Sequence, residues 1–306
     1  MDIVYALTRF VHYGLLLGLF GVTAFRSFGL RQSIARSKGA PIGWGISAIA
    51  IAAIIVTFAL MLVSISVMMG QALTQLEWAT VEAIISTTDL GWAFLARCGF
   101  LIAAVAICLY SGRLKYPYLA SAICFGLAIA TLPWSGHAAA GEGLIGELHR
   151  MNDVVHLLAS GMWLGGIGWF LHLTNSVHRK RADLAGPLLA DMHSFAPLGV
   201  TLVAVIAITG FMNAQLIFGL QNVVTVVQTN YGWLLLVKIL LVGAMLCFGA
   251  RHAYIGWRHA SFDHATIGDT KMVLTKLRFS LGTELLLGIS VLALVALIGM
   301  MSPVID

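Results

Sequence analysis

The sequence predicts an all-α polytopic membrane protein with about eight transmembrane helices and both termini on the periplasmic side. Three observations support this fold class: 59% of the 306 residues are hydrophobic, only 10% are charged, and the mean hydropathy is +0.93. So few charged residues cannot cover the surface of a soluble domain. We therefore expect residues 1–306 to form a single transmembrane domain embedded in a lipid bilayer.

The apolar runs account for each predicted helix in order. A hydrocarbon core about 30 Å thick requires about 20 apolar residues per helix. The predicted spans are Leu7–Phe28, Trp44–Met69, Gly91–Tyr110, Tyr118–Gly136, Val154–Leu173, Pro197–Leu220, Tyr231–Ala250 and Phe279–Met300. No repeat between the two halves of the chain, and no linker or low-complexity tract, is evident.

Basic residues are concentrated in alternate connections between these spans. One set of connections contains Arg26, Arg31, Arg36, Lys38, Arg113, Lys115, Arg179, Lys180, Arg181, Arg251, Arg258, Lys271, Lys276 and Arg278. The opposite set contains Arg150 alone. By the positive-inside rule the first set is cytoplasmic, which places both termini outside. The net charge of +5 therefore reflects membrane topology, and we expect no nucleic-acid partner.

A polar stripe lies at the start of the predicted fifth span. His149, Asn152, Asp153 and His156 follow one another at helical spacing, so they share one face. Polar side chains on a membrane helix face protein or water, which predicts an internal site near the outer surface. Asp153 lies one turn from His156 and is expected to accept a hydrogen bond from its imidazole, which would orient the ring as a metal ligand.

Three outer histidines are predicted to bind a metal ion. His137 follows the fourth span at the membrane level of His156, and His149 lies on the same stripe as His156. Imidazole and thioether ligands favour copper among biological metals. The methionines predicted on this side, which are candidates for contact with Cu(I), are Met68, Met69, Met300 and Met301. The ordinary alternatives are interfacial histidines and methionines that only fill packing space.

Several ionisable residues fall inside the predicted spans. Arg9 and His12 lie in the first span, Arg97 in the third and Lys238 in the seventh, all in the outer half. A charge at the bilayer centre costs about 2.5–3.5 kcal/mol, so these residues should face an internal cavity or have partners. Candidate partners are Glu142, Glu147, Asp89 and Asp153. Glu284, near the cytoplasmic end of the last span, is expected to pair with Lys238, to hold a helix junction or to belong to an ion path.

Short motifs occur in a fixed order along the chain. They are Arg9–His12, Ser135–Ala138, Asp153–His156, Trp163–Gly166, Tyr231–Lys238, Glu284–Gly288 and Ser302–Pro303. In order and spacing these motifs resemble the copper resistance protein D family over essentially the whole chain. The resemblance implies a bacterial inner-membrane protein of copper homeostasis that works with a small periplasmic copper-binding protein of the CopC type. Relatives often have Asn-Arg where this chain has Ala250-Arg251, which leaves the roles of inner-side residues open.

Two functions from different classes remain open. In the first, the protein is not an enzyme, and its outer histidines take copper from the periplasm and import it or pass it on. Unpaired Arg9, Arg97 and Lys238 would oppose an open cation pore, so a gated path or a delivery role is favoured. In the second, histidine side chains ligate haem b in a membrane electron-transfer protein. An intense Soret absorbance band would distinguish the second function from the first.

Overall fold

The computed structural model describes residues 2–29, 42–135, 143–180, 184–260 and 267–302. These described residues are almost entirely helical and contain no strand. The helices are α1 Asp2–Ala24, α2 Trp44–Met69, α3 Trp78–Thr87, α4 Asp89–Leu109, α5 Pro117–Ala130, α6 Gly143–Lys180, α7 Ala185–Phe218, α8 Val223–Val227, α9 Asn230–Ala260 and α10 Ile267–Ile298. A π-helical turn, Phe25–Gly29, continues α1.

Eight of these helices are long and apolar enough to cross a membrane, which confirms the predicted all-α fold. The largest differences from the predicted spans are in helix length. Helix α6 begins at Gly143, eleven residues before the predicted span, and α7 begins at Ala185 and continues through Pro197. The apolar run marks only the part of a helix that fits the hydrocarbon core, whereas the helix itself continues into polar sequence.

The eight long helices pack as two groups of four. In the N-terminal group α1 packs on α2, α2 on α4, α4 on α5 and α5 on α1. In the C-terminal group α6 packs on α7, α7 on α9, α9 on α10 and α10 on α6. The two groups meet through α1 and α6, which lie side by side, and α10 and α5 complete the contact. Every contact within one group therefore has a counterpart in the other.

The contact between α1 and α6 depends on glycine. A Cβ atom at Gly165 would overlap the backbone of Gly21, and a Cβ atom at Gly21 would overlap Gly161 and Gly165. Small residues allow the backbones of two membrane helices to approach closely and so increase their van der Waals contact. Further along the pair, Phe25 packs edge to face on Phe170, with ring centroids 5.2 Å apart. The two helices therefore run in the same direction.

The third long helix of each group begins in the same way. Residues 88–97 and 229–238 share the pattern Thr-x-x-Gly-Trp followed, five residues after the tryptophan, by a basic residue. In both segments the glycine N–H donates to the threonine hydroxyl, over 3.1 Å at Gly91 and 3.0 Å at Gly232. The expectation of no repeat between the halves is therefore wrong, because helix packing and this local geometry recur even though few residues are identical.

Candidate functional site

His156 is oriented by a threonine of the neighbouring helix. Its Nδ1 atom lies 2.8 Å from Oγ1 of Thr209 on α7, and that hydroxyl donates its own proton to the Val205 carbonyl at 2.6 Å. A carbonyl only accepts, so the threonine oxygen must accept from Nδ1–H of the imidazole. The Nε2 atom of neutral His156 therefore carries the lone pair that can bind a metal ion.

Asparagine side chains connect the rest of the polar stripe to α7. Asn152 Nδ2 donates to the Thr209 carbonyl at 2.9 Å and to Asn213 Oδ1 at 2.7 Å. Asn213 Nδ2 in turn donates to Oδ1 of Asp153 at 3.1 Å. The carboxylate is thus held by an amide of α7, and Thr209 makes the Nδ1 hydrogen bond that was expected from Asp153. These contacts turn the stripe towards protein.

Lys238 of α9 adds a positive charge to this cluster. It is half-buried and lies within electrostatic range of both Asp153 and His156. A pair between Lys238 and Glu284 was one of the expectations from the sequence. The carboxylate of Glu284, which is 1% exposed, instead lies beside Gly249, eleven residues further along α9, which is about 16 Å along the helix axis. Asp153 is therefore the carboxylate that balances Lys238.

A second polar cluster occupies the N-terminal group of helices. His12 is fully buried, and its Nε2 atom lies 3.0 Å from Oγ1 of Thr57 on α2. The Thr57 hydroxyl donates to the Ala53 carbonyl at 2.7 Å, so it accepts from Nε2–H of the imidazole. A histidine of the first helix thus contacts a threonine of the second helix in both groups. The nitrogen that carries the donated proton differs: it is Nε2 in His12 and Nδ1 in His156.

His12 and His156 face away from each other. Each lies nine residues before the glycine at the contact between α1 and α6, Gly21 and Gly165 respectively. At about 100° per residue, nine residues amount to two and a half turns, so both imidazoles lie on the far side of their helix from that contact. The two residues are at the same depth but cannot flank one porphyrin. The haem alternative gains no support from this pair.

The two buried arginines of the N-terminal cluster bind uncharged groups. Arg9 donates to the Gly299 carbonyl at 3.1 Å and to the Tyr13 hydroxyl at 3.1 Å. Arg97 donates through Nε to the Thr131 hydroxyl at 2.8 Å and through Nη2 to its carbonyl at 3.1 Å. Neither contact set includes Asp89, Glu147 or Asp153, and Glu142, the fourth carboxylate considered, lies outside the described residues.

The remaining predicted ligands are only partly described. His137 lies outside the described residues. His149 is buried, two helical turns and about 10 Å from His156 on the same face, which suits successive positions on a path better than adjacent ligands. In the described part of the chain no three His, Cys, Asp or Glu side chains are grouped to hold a metal ion. The predicted site of three histidines therefore stays a prediction that depends on His137.

The two methionine pairs differ in exposure. Met68 and Met69 at the end of α2 are 62% and 45% exposed, so they point outward. Met300 and Met301 follow α10 and are half-buried, and Met301 packs against the apolar cluster around Phe218. Their contact with copper stays a prediction.

The site contains several residues that the sequence analysis did not select. Thr209, Asn213, Thr57 and Thr131 each accept or donate a hydrogen bond to a selected residue. Threonine in a membrane helix ordinarily bonds its own backbone, so it gives little signal in a single sequence. Asn213 could have been selected from the sequence, because an amide side chain inside an apolar span needs a hydrogen-bond partner.

Eight apolar helices around two buried polar clusters define a multi-pass membrane protein with internal imidazole sites. The family model described as "Copper resistance protein D-like, N-terminal domain" matches residues 1–147, and the model described as "Copper resistance protein D" matches residues 189–298. The chain belongs to the copper resistance protein D family. The first model spans the N-terminal group of helices, and the second spans most of α7 together with α9 and α10 of the C-terminal group, so most of α6 lies between the two models.

Curated relatives agree with this assignment. Copper resistance protein D of Pseudomonas syringae pv. tomato is 29% identical over 96% of this chain and 95% of its own length. Inner membrane protein YebZ of Escherichia coli K12 is 30% identical over 52% of each chain. Copper transport protein CutJ of Bacillus subtilis 168 is 33% identical over 42% of this chain and 22% of its own. No solved structure matches. The protein is thus a copper-related, multi-pass protein of the inner membrane.

Proposed function

We propose that the protein takes copper from the periplasmic side at His156 and imports it or passes it on. The observation that carries this proposal is the hydrogen bond from Nδ1–H of His156 to Thr209, because in the neutral imidazole it leaves the Nε2 lone pair able to coordinate the metal. The names of two relatives, a copper resistance protein and a copper transport protein, support copper as the ion.

The charges near His156 are compatible with a bound cation. Lys238 would repel copper, but Asp153 lies close enough to offset that charge. The carboxylate is held in place by Asn213, so the neutralising charge is fixed beside the imidazole. The site is then near neutral before copper binds, which lowers the electrostatic barrier to a single copper ion.

The last described residues before His137 pack on α6. The guanidinium of Arg150 on α6 lies 5.7 Å from the ring of Trp134, and the helical turn Leu132–Ser135 packs on α6. His137 follows Trp134 by three residues in the sequence. We propose His137 and His149 as further ligands along the path to His156, with a CopC-type protein delivering copper at this outer surface.

Copper content of the purified protein tests the proposal. Wild type, His156→Ala, His149→Ala and His137→Ala are loaded with Cu(I) under reducing conditions, dialysed and measured by mass spectrometry for copper per chain. His156→Ala should lose most of the bound copper. The matched control is His193→Ala, which removes an exposed histidine at the opposite end of α7 and should keep wild-type copper. Equal copper in wild type and His156→Ala would exclude His156 as a ligand.

The same samples test the haem alternative. An absorbance spectrum of freshly purified wild type should show no Soret band. A Soret band that His156→Ala abolishes would favour an electron-transfer function instead.

A further inference from the structure

A small pocket lies at the outer ends of the N-terminal group of helices. It has room for about 20 Å³ of solvent, which is sufficient for one water molecule or one chloride-sized ion. The described residues that line it are Tyr5, Arg9, Tyr13, Thr57, Leu60, Met61, Ser64, Leu90, Phe94, Arg97 and Ser135. These residues include two guanidinium groups, several hydroxyl groups and no carboxylate.

Both guanidinium groups are buried in this pocket wall. Arg9 is 5% exposed and Arg97 is 4% exposed, and both lie within electrostatic range of His12. The hydrogen bonds of Arg9 go to hydroxyls of Tyr5 and Tyr13 and to one carbonyl, and its Nε has no acceptor among the described residues. Among the described residues, the charge of each guanidinium is therefore met by neutral dipoles alone.

Two like charges in one pocket of low dielectric need a counter-charge. A buried cation is tolerated when it is paired, and each charge inside a membrane helix already carries an insertion cost. Hydroxyl and carbonyl dipoles satisfy single N–H groups but do not remove the repulsion between two guanidinium groups. An anion between the two arginines would remove it and would accept the free Nε–H of Arg9.

The equivalent site in the C-terminal group has the opposite charge balance. His12 and His156 are equivalent, and three residues before them stand Arg9 and Asp153 respectively. The basic residues of the shared Thr-x-x-Gly-Trp segments are Arg97 and Lys238. The C-terminal site thus combines a carboxylate with an ammonium group, whereas the N-terminal site combines two guanidinium groups. The C-terminal site contains an anionic side chain, Asp153. The N-terminal site has a pocket in the equivalent position.

We propose that a chloride-sized monovalent anion binds between Arg9 and Arg97. Its ligands are the two guanidinium groups and the hydroxyl groups of Tyr13 and Ser64 in the pocket wall. The small volume of the pocket fits a single halide or similar monovalent ion. The site is separate from the copper site, since it faces the opposite side of the contact between α1 and α6.

Thermal unfolding at constant ionic strength tests the anion site. Purified protein in detergent is titrated with sodium chloride or bromide that replaces sodium gluconate. The unfolding temperature of wild type should rise and saturate with either halide. Arg9→Gln and Arg97→Gln should weaken the apparent halide affinity by about tenfold or more, since each removes a charge-assisted hydrogen bond. Arg26→Gln is the matched control, because it removes a half-buried guanidinium at the other end of α1.

Chloride-35 NMR on wild type gives a measurement that needs no variant. Excess line broadening that saturates and is displaced by bromide supports the site. Absence of both halide-dependent stabilisation and excess broadening would overturn the proposal, as would an equal halide response in wild type and the Arg9→Gln and Arg97→Gln variants. Copper content does not enter either measurement, so this result is independent of the proposed copper function.

Discussion

The hydroxyl group of Thr209 determines which nitrogen of His156 is available. Because the Thr209 proton is donated to its own helix backbone, the oxygen accepts from Nδ1–H and leaves Nε2 as the ligand. The polar stripe on α6 was recognisable from the sequence, since His149, Asn152 and His156 recur at helical spacing. Its partner on α7 was not, because a single threonine in an apolar run looks the same whether it bonds its own backbone or a neighbouring helix.

Replacing Thr209 with valine should weaken copper binding while the fold remains. The change keeps the shape of the side chain but removes the acceptor for Nδ1–H, so the imidazole is no longer held in one tautomer and orientation. Loss of such a supporting hydrogen bond typically lowers metal affinity by about 10–100-fold. Competition with a Cu(I) chelator of known affinity measures the change.

Thr201→Val on the same helix is the control for this substitution. Thr201 is exposed, and its hydroxyl donates to the Pro197 carbonyl within α7. The copper affinity of the Thr201→Val variant should match that of wild type. An unchanged affinity in Thr209→Val would show that Thr209 does not orient the ligand.

Replacing Asp153 with asparagine should lower both stability and copper binding. The change removes the carboxylate that balances Lys238 and weakens the hydrogen bond from Asn213. We expect a loss of about 1–3 kcal/mol in stability, the usual range for a hydrogen bond to a charged group. Thermal unfolding and copper content measure the two effects, and Glu147→Gln, an exposed carboxylate on the same helix, should change neither.

At the scale of helices, apolar length predicted where each membrane span lies but not where each helix ends. The eight runs of apolar residues correspond to eight helices, because an α-helix satisfies its backbone groups within one segment and so can cross lipid alone. Helix α6 nevertheless extends from Gly143 to Lys180, well beyond the predicted span Val154–Leu173. The additional turns are polar, so hydropathy alone does not include them, although they contain His149 and the polar stripe.

The glycine contact between α1 and α6 predicts a specific stability change. In Gly165→Ala the added methyl group meets the backbone of Gly21, which cannot rotate aside as a side chain can. Overpacking of this kind costs about 1–3 kcal/mol, which exceeds the gain of about 1 kcal/mol from the better helix propensity of alanine. Thermal unfolding in detergent should show a lower midpoint.

Gly168→Ala provides the comparison three residues along the same helix. A Cβ atom at Gly168 meets no neighbouring atom within 4 Å, so this variant should be as stable as wild type or slightly more stable. Equal midpoints for Gly165→Ala and Gly168→Ala would mean that the two helices are not in close contact at Gly165.

At the scale of the whole molecule, the chain consists of two similar groups of four helices. The sequence predicted the number of spans and the family, but not this symmetry. The reason is visible in the paired positions Arg9 and Asp153, where equivalent residues carry opposite charges. Because the side chains of the two halves have diverged, the repeat is not evident from residue identity. It is preserved in the helix packing and in the positions of His12 and His156.

Membrane orientation is a prediction for the whole molecule. The basic connections predict that both termini are periplasmic. Alkaline phosphatase fused after Asp306 should be active, and green fluorescent protein at the same position should be dark. Insertion of the two reporters after Arg181, in a predicted cytoplasmic connection, should give the opposite pattern. Fluorescence from the C-terminal fusion would reverse the assigned orientation and move the His156 site to the cytoplasmic face.

The backbone contact at Gly21 and Gly165 also limits the route of any transported ion. It lies nine residues, about 14 Å, further from the predicted outer surface than His156. At that depth the two peptide chains touch, so the seam between the halves is closed to a metal ion. We therefore expect copper that moves inward from His156 to travel inside the C-terminal group, bounded by α6, α7 and α9, with the N-terminal group as a wall and not as half of a shared channel.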